Sequence, residues 1–447
     1  MPNSLVTYLK LHRVSLLLAL LSFLFYAIFA YHLERTDFVK LLTLFAALFI
    51  LCFKLIQFEK WNFRFLLAAG IVFRLAFLMA EPKLSQDYFR FIWDGHLVSN
   101  LINPYSYTPD TLIAQSGALL PNALELHQGM GELSAKHFSN YPPLNQLFFG
   151  LASFLGGTSI LSSLLVLRGT VILADIGIFY FGRKLLKKFN RSPHLIFWYF
   201  LNPLVIIELT GNLHFEGVML FFFILAMYLL ALQKWQWAAV FLAASTSVKL
   251  VPLVFLPLFL KHFGFKKSIV FYSICTGTIL LLFLPFYTPA FLPNYHKTLS
   301  LWFSNFEFNA GIYNVIAQIA VEWDAKPWEF IKSYGQVTPI ITILAVFLFT
   351  FLRKNQDLNV LLSSMMWVLA IYYFMSTTIH PWYVIFLILL AIFTSYRFAL
   401  VWSAAIVLSY FAYSQPDFRE NPWILAIEYS IVFGFLGYEI LAHLNKK

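Results

Sequence analysis

Charge is scarce in this chain: only 12% of its 447 residues are Asp, Glu, Lys or Arg, against roughly 25% in soluble globular domains. So few charges cannot clothe a water-facing surface. Cysteine is scarcer still. The two present, Cys52 and Cys275, both sit inside apolar runs, which excludes a disulfide framework and a cysteine-based zinc site. The short alternating segments of a membrane barrel are missing, because the apolar runs are unbroken. No internal repeat is visible, which weighs against a transporter built from inverted halves. The basic patch of Lys10 and Arg13 leads into an apolar run without a small-residue cleavage site. An uncleaved first span with its N-terminus inside is therefore expected.

What the chain has in abundance is apolar and aromatic surface: 60% hydrophobic residues and 51 phenylalanines. Runs long enough to cross a hydrocarbon core of about 30 Å recur throughout. The fold class expected is all-α, a polytopic helical membrane protein of about twelve transmembrane helices plus re-entrant and short helices. Candidate spans fall roughly at 15–32, 38–57, 63–80, 159–182, 194–209, 215–232, 268–288, 337–352, 358–379, 382–395, 398–414 and 422–442. All 447 residues are read as a single membrane domain without a separate soluble one.

The net charge of +10 does not indicate nucleic-acid binding, because Lys and Arg gather in short connectors as the positive-inside rule requires. The clearest is Arg183–Arg191, and Lys234, Lys266, Lys267, Arg353, Lys354, Arg397, Lys446 and Lys447 are assigned to the same, cytoplasmic side. Both flanks of 236–260 are then basic, so a single crossing breaks the rule. Two half-helices meeting near Ser247–Pro252 satisfy it, and a kinked full span at Pro252 is the alternative. The segment 143–156 is short for a crossing and is read as a half-helix walling a cavity.

This topology puts the connectors 81–142, 289–336 and 415–421 outside. The first carries six acids (Glu81, Asp87, Asp94, Asp110, Glu125, Glu132) against Lys83, Arg90 and Lys136. Its run Ser85–His96 concentrates Asp87, Arg90, Asp94 and His96 just after an apolar segment ends at Ala80. Residues 87–102 can form a helix with Phe91 and Val98 on one face and Asp87, Arg90 and Asp94 on another, lying in the membrane interface. Its charges are either solvated or functional. Asn103-Pro104-Tyr105 and Tyr141-Pro142-Pro143 offer rigid, amphipathic platforms on the same loop.

Two further clusters sit on the same side. Asn202, Glu208, Asn212, His214 and Glu216 collect at one turn. A His with two carboxylates includes zinc-ligand types, but such a turn more often anchors hydroxyl groups or its own members, and no cofactor or metal is expected. His380-Pro381-Trp382-Tyr383 interrupts two apolar runs, and a His cation with aromatic neighbours suits a phosphate or sugar. Within the runs lie Arg74, Arg168, Asp175, Glu208 and Lys249. Each costs about 2.5–3.5 kcal/mol at a helix centre on the insertion scale, so each should face protein or a cavity. Arg168 and Asp175 are two turns apart on one face and either pair or contact neighbouring helices. Lys249, at the proposed re-entrant tip, is the better phosphate ligand.

Taken in order, these motifs resemble the GT-C superfamily of membrane glycosyltransferases, particularly bacterial enzymes of the mannosyltransferase type that use polyprenyl-phosphate sugars. The resemblance rests on Asp87–Gly95, Asn103–Tyr105, Tyr141–Leu144, Asn202-Pro203, Glu208 with Asn212 and His214, Val248–Pro252 and His380–Tyr383. It implies sugar transfer, a mannose-like hexose favoured, from a polyprenyl-phosphate donor to a glycan, lipid or protein acceptor at the outer face of a bacterial cytoplasmic membrane, with both termini inside. By analogy Asp87 is the general base of an inverting reaction. A lone Asp stands where some relatives carry an acidic pair, and Asp94 is a candidate assistant. Donor phosphate is assigned to Arg90, Lys249, His380 and Tyr383. Acceptor and sugar are assigned to Asp94, Asn103, Tyr105, Tyr141, Glu208, Asn212, His214, Glu216 and Trp382. Physical chemistry agrees: a lipid-linked donor needs cations at headgroup depth, and an acceptor hydroxyl needs a placed carboxylate. The alternative, a secondary transporter or lipid-linked sugar flippase, calls for charges spread through the midplane and related halves. An O-antigen-ligase-like protein carries its large outer loop late in the chain, whereas here it is early.

Overall fold

The computed structural model describes residues 2–116, 120–304, 306–324 and 326–445; Lys446 and Lys447 lie outside the described residues. Helices account for nearly all regular structure, and no strand longer than the single Phe308–Thr378 bridge occurs among the described residues. Among the described residues seven helices are long and apolar enough to cross a membrane: Arg13–His32, Phe38–Phe58, Ile160–Lys188, Phe265–Phe286, Pro327–Leu352, Leu358–Met375 and Pro422–Leu444. An eighth results if Pro193–Phe200 and Pro203–Gly211, bent by 54°, are taken as one broken span.

The remaining expected spans exist as shorter pieces. Phe63–Leu75 stops five residues before Ala80, and Glu216–Ala231, Pro381–Ala391 and Phe398–Ser414 are also too short by length. Apolar length alone does not reveal these interruptions. Asn202 turns the chain with its side chain accepting from Leu204 N (2.9 Å) ahead of Pro203, and the backbone then runs as a π-helix over Ile206–Gly211. Residues 201–220 and 384–392 are buried without a break. The irregular pieces are thus the core of the bundle, sheathed by the long helices, where protein satisfies their backbone.

Capping starts several helices where the sequence changes from polar to apolar. Asp37 accepts from Lys40 N, Asn62 from Phe65 N, and Ser159 from Ser162 N. Lys187 and Lys188 close the last turn of Ile160–Lys188, where cations complement the helix dipole.

The basic connectors meet at one end of the bundle. Arg191 donates to Thr394 O (2.6 Å), Lys261 to Phe351 O (2.6 Å), and Lys267 lies over the Trp235 and Phe263 rings. That last contact describes the 236–260 region. The helix Trp235–Val248 ends at extended Lys249, and the return arm runs through Val251–Leu258 to Phe263. Trp235 and Phe263, the far ends of the two arms, are 6.2 Å apart by ring centroids. The chain therefore folds back on itself with Lys249 at the tip.

The loop 81–142 forms four short helices: Asp87–Ser99, Pro109–Ser116, Ala123–Gly129 and Gly131–Ala135. The loop 289–336 is largely helical as well, through Phe291–Ser304, Gly311–Glu322 and the start of Pro327–Leu352. Pro143–Gly156 is a helix of 14 residues packed on Asp87–Ser99 and Ile160–Lys188. Gly95 permits the first of these contacts, because a Cβ there would strike the Phe149 carbonyl.

Candidate active site

Asp87 opens its helix, where the dipole favours a carboxylate. It is half-buried, and its carboxylate makes no ion pair or hydrogen bond among the described residues. The helix behind it does not lie in an interface with solvated charges as its amphipathic pattern suggested. Tyr88 and Arg90 through Leu97 are buried. The polar face is satisfied internally: Arg90 Nε meets Asp94 Oδ1 at 2.7 Å, and Arg90 Nη1 donates to Ser134 O and His137 O. Asp94 Oδ2 accepts from Ser139 (2.6 Å) and Gln146 (3.1 Å). Arg90 and Asp94 thus form the footing under Asp87, with both Asp94 oxygens and the Arg90 Nε and Nη1 groups engaged within the protein, where phosphate and sugar contacts were expected; Arg90 Nη2 alone is buried without a partner among the described residues.

Asn103 and Tyr105 are likewise turned inward. Asn103 donates to Phe286 O (2.7 Å), the Tyr105 hydroxyl to Tyr141 O (2.5 Å), and Asn294 to Tyr105 O (3.0 Å). The Tyr105 ring packs among Phe286, Phe291 and Tyr295. This pair clamps the first loop to the second, a structural role where sugar contact was expected.

Across from Asp87 lies the π-helical turn. Glu208 is fully buried; its Oε1 accepts from Asn212 (3.0 Å) and from the Tyr410 hydroxyl. Its Oε2 lies 3.2 Å from His214 Nε2, within ion-pair distance but off the hydrogen-bonding direction. Asn212 Oδ1 in turn accepts from Leu84 N (3.0 Å). Glu208 and Asn212 therefore bind each other and tie the turn to the start of the Asp87 loop, where sugar contact was expected.

The His214 ring stacks on Trp382 at 3.7 Å, and His380 stacks on the same indole at 4.4 Å. Phe308 continues the pile against His380 at 5.1 Å. It is held there by the bridge in which Phe308 N donates to Thr377 O and Ile379 N to Phe308 O. His380, in the connector after Leu358–Met375, is pushed down to about 3 by burial, with His214, Lys249 and Arg35 adding repulsion. The expected imidazolium is a neutral ring, suited to stacking and hydrogen bonding and not to ion pairing.

The cation at this site is Lys249. It pairs with Glu216, the first residue of the helix Glu216–Ala231, and keeps 26% of its side chain exposed. Glu216 Oε2 is buried without a partner among the described residues. The charges of Asp87 and Glu216 both reach Tyr383 and Tyr141. Asp87, Lys249, Glu216, His214, Trp382, His380, Tyr383 and Tyr141 thus surround one region. Arg35, missed from sequence, completes it: its guanidinium lies 3.8 Å over Tyr413, and its charge reaches both His380 and Tyr413. The short connector Glu34-Arg35-Thr36-Asp37 falls between the first two spans, and its place on the Asp87 side was the available signal.

The other intramembrane charges are structural. Asp175 pairs with Arg74, not Arg168: Arg74 Nε to Asp175 Oδ2 is 2.9 Å, both side chains are fully buried, and Tyr199 donates to the second oxygen at 3.0 Å. Arg168 instead donates to Thr210 O and Leu78 O, each at 2.9 Å. It satisfies carbonyls at the end of the π-helix. Among the described residues no group of three or more His, Cys, Asp or Glu is placed to hold a metal ion.

Residues 11–263 match the family model MptA_B family, alpha-(1->6)-mannopyranosyltransferase, N-terminal domain. That stretch includes Asp87, Glu208, His214, Glu216 and Lys249, while His380 and Trp382 lie beyond it. No curated protein matches the chain.

Proposed function

The chain belongs to the alpha-(1->6)-mannopyranosyltransferase family and is a mannosyltransferase of the GT-C type, and from that premise we propose that it moves mannose from a polyprenyl-phosphate carrier to a sugar 6-hydroxyl. The observation that carries this reading is the unpartnered Asp87 carboxylate at one side of a site whose cation, Lys249, stands at the tip of a re-entrant hairpin. Asp87 takes the proton of the acceptor hydroxyl as its oxygen attacks the anomeric carbon. The carbon–phosphate oxygen bond breaks, and the electron pair leaves with the phosphate. Lys249, with Arg35 nearby, stabilises that charge. The attack inverts the anomeric centre, so an α-linked product requires a β-linked donor phosphate.

The edge of the aromatic stack of His214, Trp382 and His380 borders the space for a pyranose ring, with Tyr141 and Tyr383 supplying hydroxyl groups. The basic connectors at the opposite end support a cytoplasmic assignment for that end. Under it the site faces the periplasm of a bacterial inner membrane, and both termini stay inside. Acceptors in keeping with the site are glycans or glycolipids ending in mannose.

The test is to incubate the purified protein with a panel of polyprenyl-phosphate sugars and mannoside acceptors, and to follow polyprenyl-phosphate release. Release that requires the mannosyl donor and an acceptor with a free 6-hydroxyl supports the reading. Turnover only with nucleotide sugars sinks it.

A further inference from the structure

At the end of the bundle that carries the basic connectors, a cavity of about 300 Å³ opens between the helix Phe38–Phe58 and the short piece Pro193–Phe200. Small-molecule sites span about 300–1,000 Å³. The walls are Phe53, Ile56, Leu66, Leu195, Phe197 and Trp198. Gln57, Lys60, Ser192 and His194 supply the polar part of the lining. Phe53 lies about two helical turns before Lys60, and Trp198 lies four residues after His194. The polar residues therefore gather at the membrane end, and the apolar ones run toward the midplane. The Phe53 and Trp198 rings stand 5.9 Å apart, and Phe53 is 51% exposed, so the apolar part reaches the outer surface of the bundle.

Positive charge here has no counter-charge. Arg183 lies 4.8 Å over the Phe63 ring, and His194 meets the same ring at 5.4 Å, which puts the guanidinium beside the polar end. Lys60 lies 5.3 Å from the Trp61 ring. Neither basic side chain has an acid partner or a hydrogen bond among the described residues, and Arg183 Nε and His194 Nδ1 are buried and unmet. Residues 183–198 hold no Asp or Glu. Residues 53–64 hold only Glu59, which His12 engages at 2.7 Å. Trp61, 82% exposed, marks the depth of the headgroups.

A guanidinium and an ammonium at headgroup depth, beside an open apolar slot, match a phosphate that carries an acyl chain. A zwitterionic headgroup would bring its own cation against Arg183 and Lys60. We propose that the cavity seats one anionic phospholipid of the leaflet at that end, its phosphate on Arg183 and Lys60 with a His194 ring nitrogen, and a length of acyl chain between Phe53 and Trp198. The lipid then covers the outward side of Pro193–Phe200, the first half of the broken span that leads to Glu208. The inference rests on the membrane reading of the chain and not on the donor or acceptor of the reaction.

The test is thermal unfolding of the full-length purified protein in detergent, titrated with dioleoyl-phosphatidylglycerol or with dioleoyl-phosphatidylcholine. A saturable rise in Tm with the first lipid alone is expected, as is its loss when Lys60→Gln and Arg183→Gln are combined. Should the double variant fail to accumulate, Lys60→Gln alone, at an exposed position, should raise the half-maximal lipid concentration several-fold. Equal responses to the two lipids overturn the proposal, as does an undiminished response in the variants. Inorganic phosphate that reproduces the full rise assigns the site to a free anion. A rise with polyprenyl phosphate but not with phosphatidylglycerol, lost in the same variants, assigns it to the carrier lipid. Each of these results equally overturns the proposal.

Discussion

The imidazole of His214 stacks on the indole of Trp382 at 3.7 Å, and His380 occupies the same indole at 4.4 Å. Residues 166 positions apart in sequence are joined through one aromatic plane. The plane is anchored on one side by the Glu208–Asn212 turn and on the other by Phe308. The two imidazoles cover the indole from both sides, so the pile is rigid and presents its ring edges to the site.

Replacing Trp382 with Ala removes both ring contacts. Aromatic pairs are worth about 0.5–1.5 kcal/mol each beyond area burial, so a lower Tm is expected, and weaker substrate binding where the loosened stack borders the site. Trp382→Phe should recover part of it. Thermal unfolding and initial rates against donor and acceptor concentration measure the two effects, and an unchanged KM for both would remove the stack from the reaction.

Asp87→Asn should lower turnover by roughly 10²- to 10⁴-fold, the usual contribution of a general base. Membrane insertion should be unaffected and thermal stability little changed, because the carboxylate makes no hydrogen bond or ion pair among the described residues and only its favourable place in the first helical turn is lost. Near-normal polyprenyl-phosphate release by the variant would exclude Asp87 as base.

Lys249→Met tests the cation. Loss of one group that stabilises developing charge costs roughly 10²- to 10³-fold in kcat. A pure KM effect would instead make Lys249 a ground-state ligand. Glu216→Gln, which frees Lys249 from its buried partner, should change donor affinity without abolishing turnover, and titration with polyprenyl phosphate measures it.

The Arg74–Asp175 pair sets stability and not chemistry. Removing one partner of a fully buried pair costs about 3–5 kcal/mol, whereas replacing both with apolar groups can be nearly neutral. Asp175→Leu should therefore lower Tm strongly, and Arg74→Met with Asp175→Leu should restore much of the loss. No recovery in the double variant would refute a pairwise role.

His380 supplies a pH dependence with a defined sign. Its folded value of about 3 lies below the ordinary 6.5, so the unfolded chain binds the extra proton across that window. Stability from this group is full above about 6.5 and falls as pH drops toward 3. In His380→Gln that component should vanish from a Tm-against-pH profile between pH 7 and 4, and an unchanged slope would contradict the buried neutral ring.

Much of the site was legible because charge is so rare in the chain. Asp87, His214, Glu216, Lys249 and His380 stand out in apolar surroundings, and assigning basic connectors to one end places the rest at the other. The re-entrant tip at Lys249 followed from the same rule. What sequence does not encode locally is which polar groups consume one another. The Arg90–Asp94 spacing of four residues does announce a helical ion pair, but reading both as ligands ignored it. Arg74 and Asp175 lie 101 residues apart, and no local pattern joins them. The short central helices escaped because apolar length is blind to a π-turn at Ile206–Gly211.

Arg168 has a mechanical implication. By holding the Leu78 and Thr210 carbonyls while Asn212 holds Leu84 N, it welds the approach to Asp87 onto the turn that bears His214. These two parts of the cleft form a fixed jaw. The spacing between the Asp87 helix and the His214 turn is thereby set by three backbone groups of the protein itself, before any substrate enters.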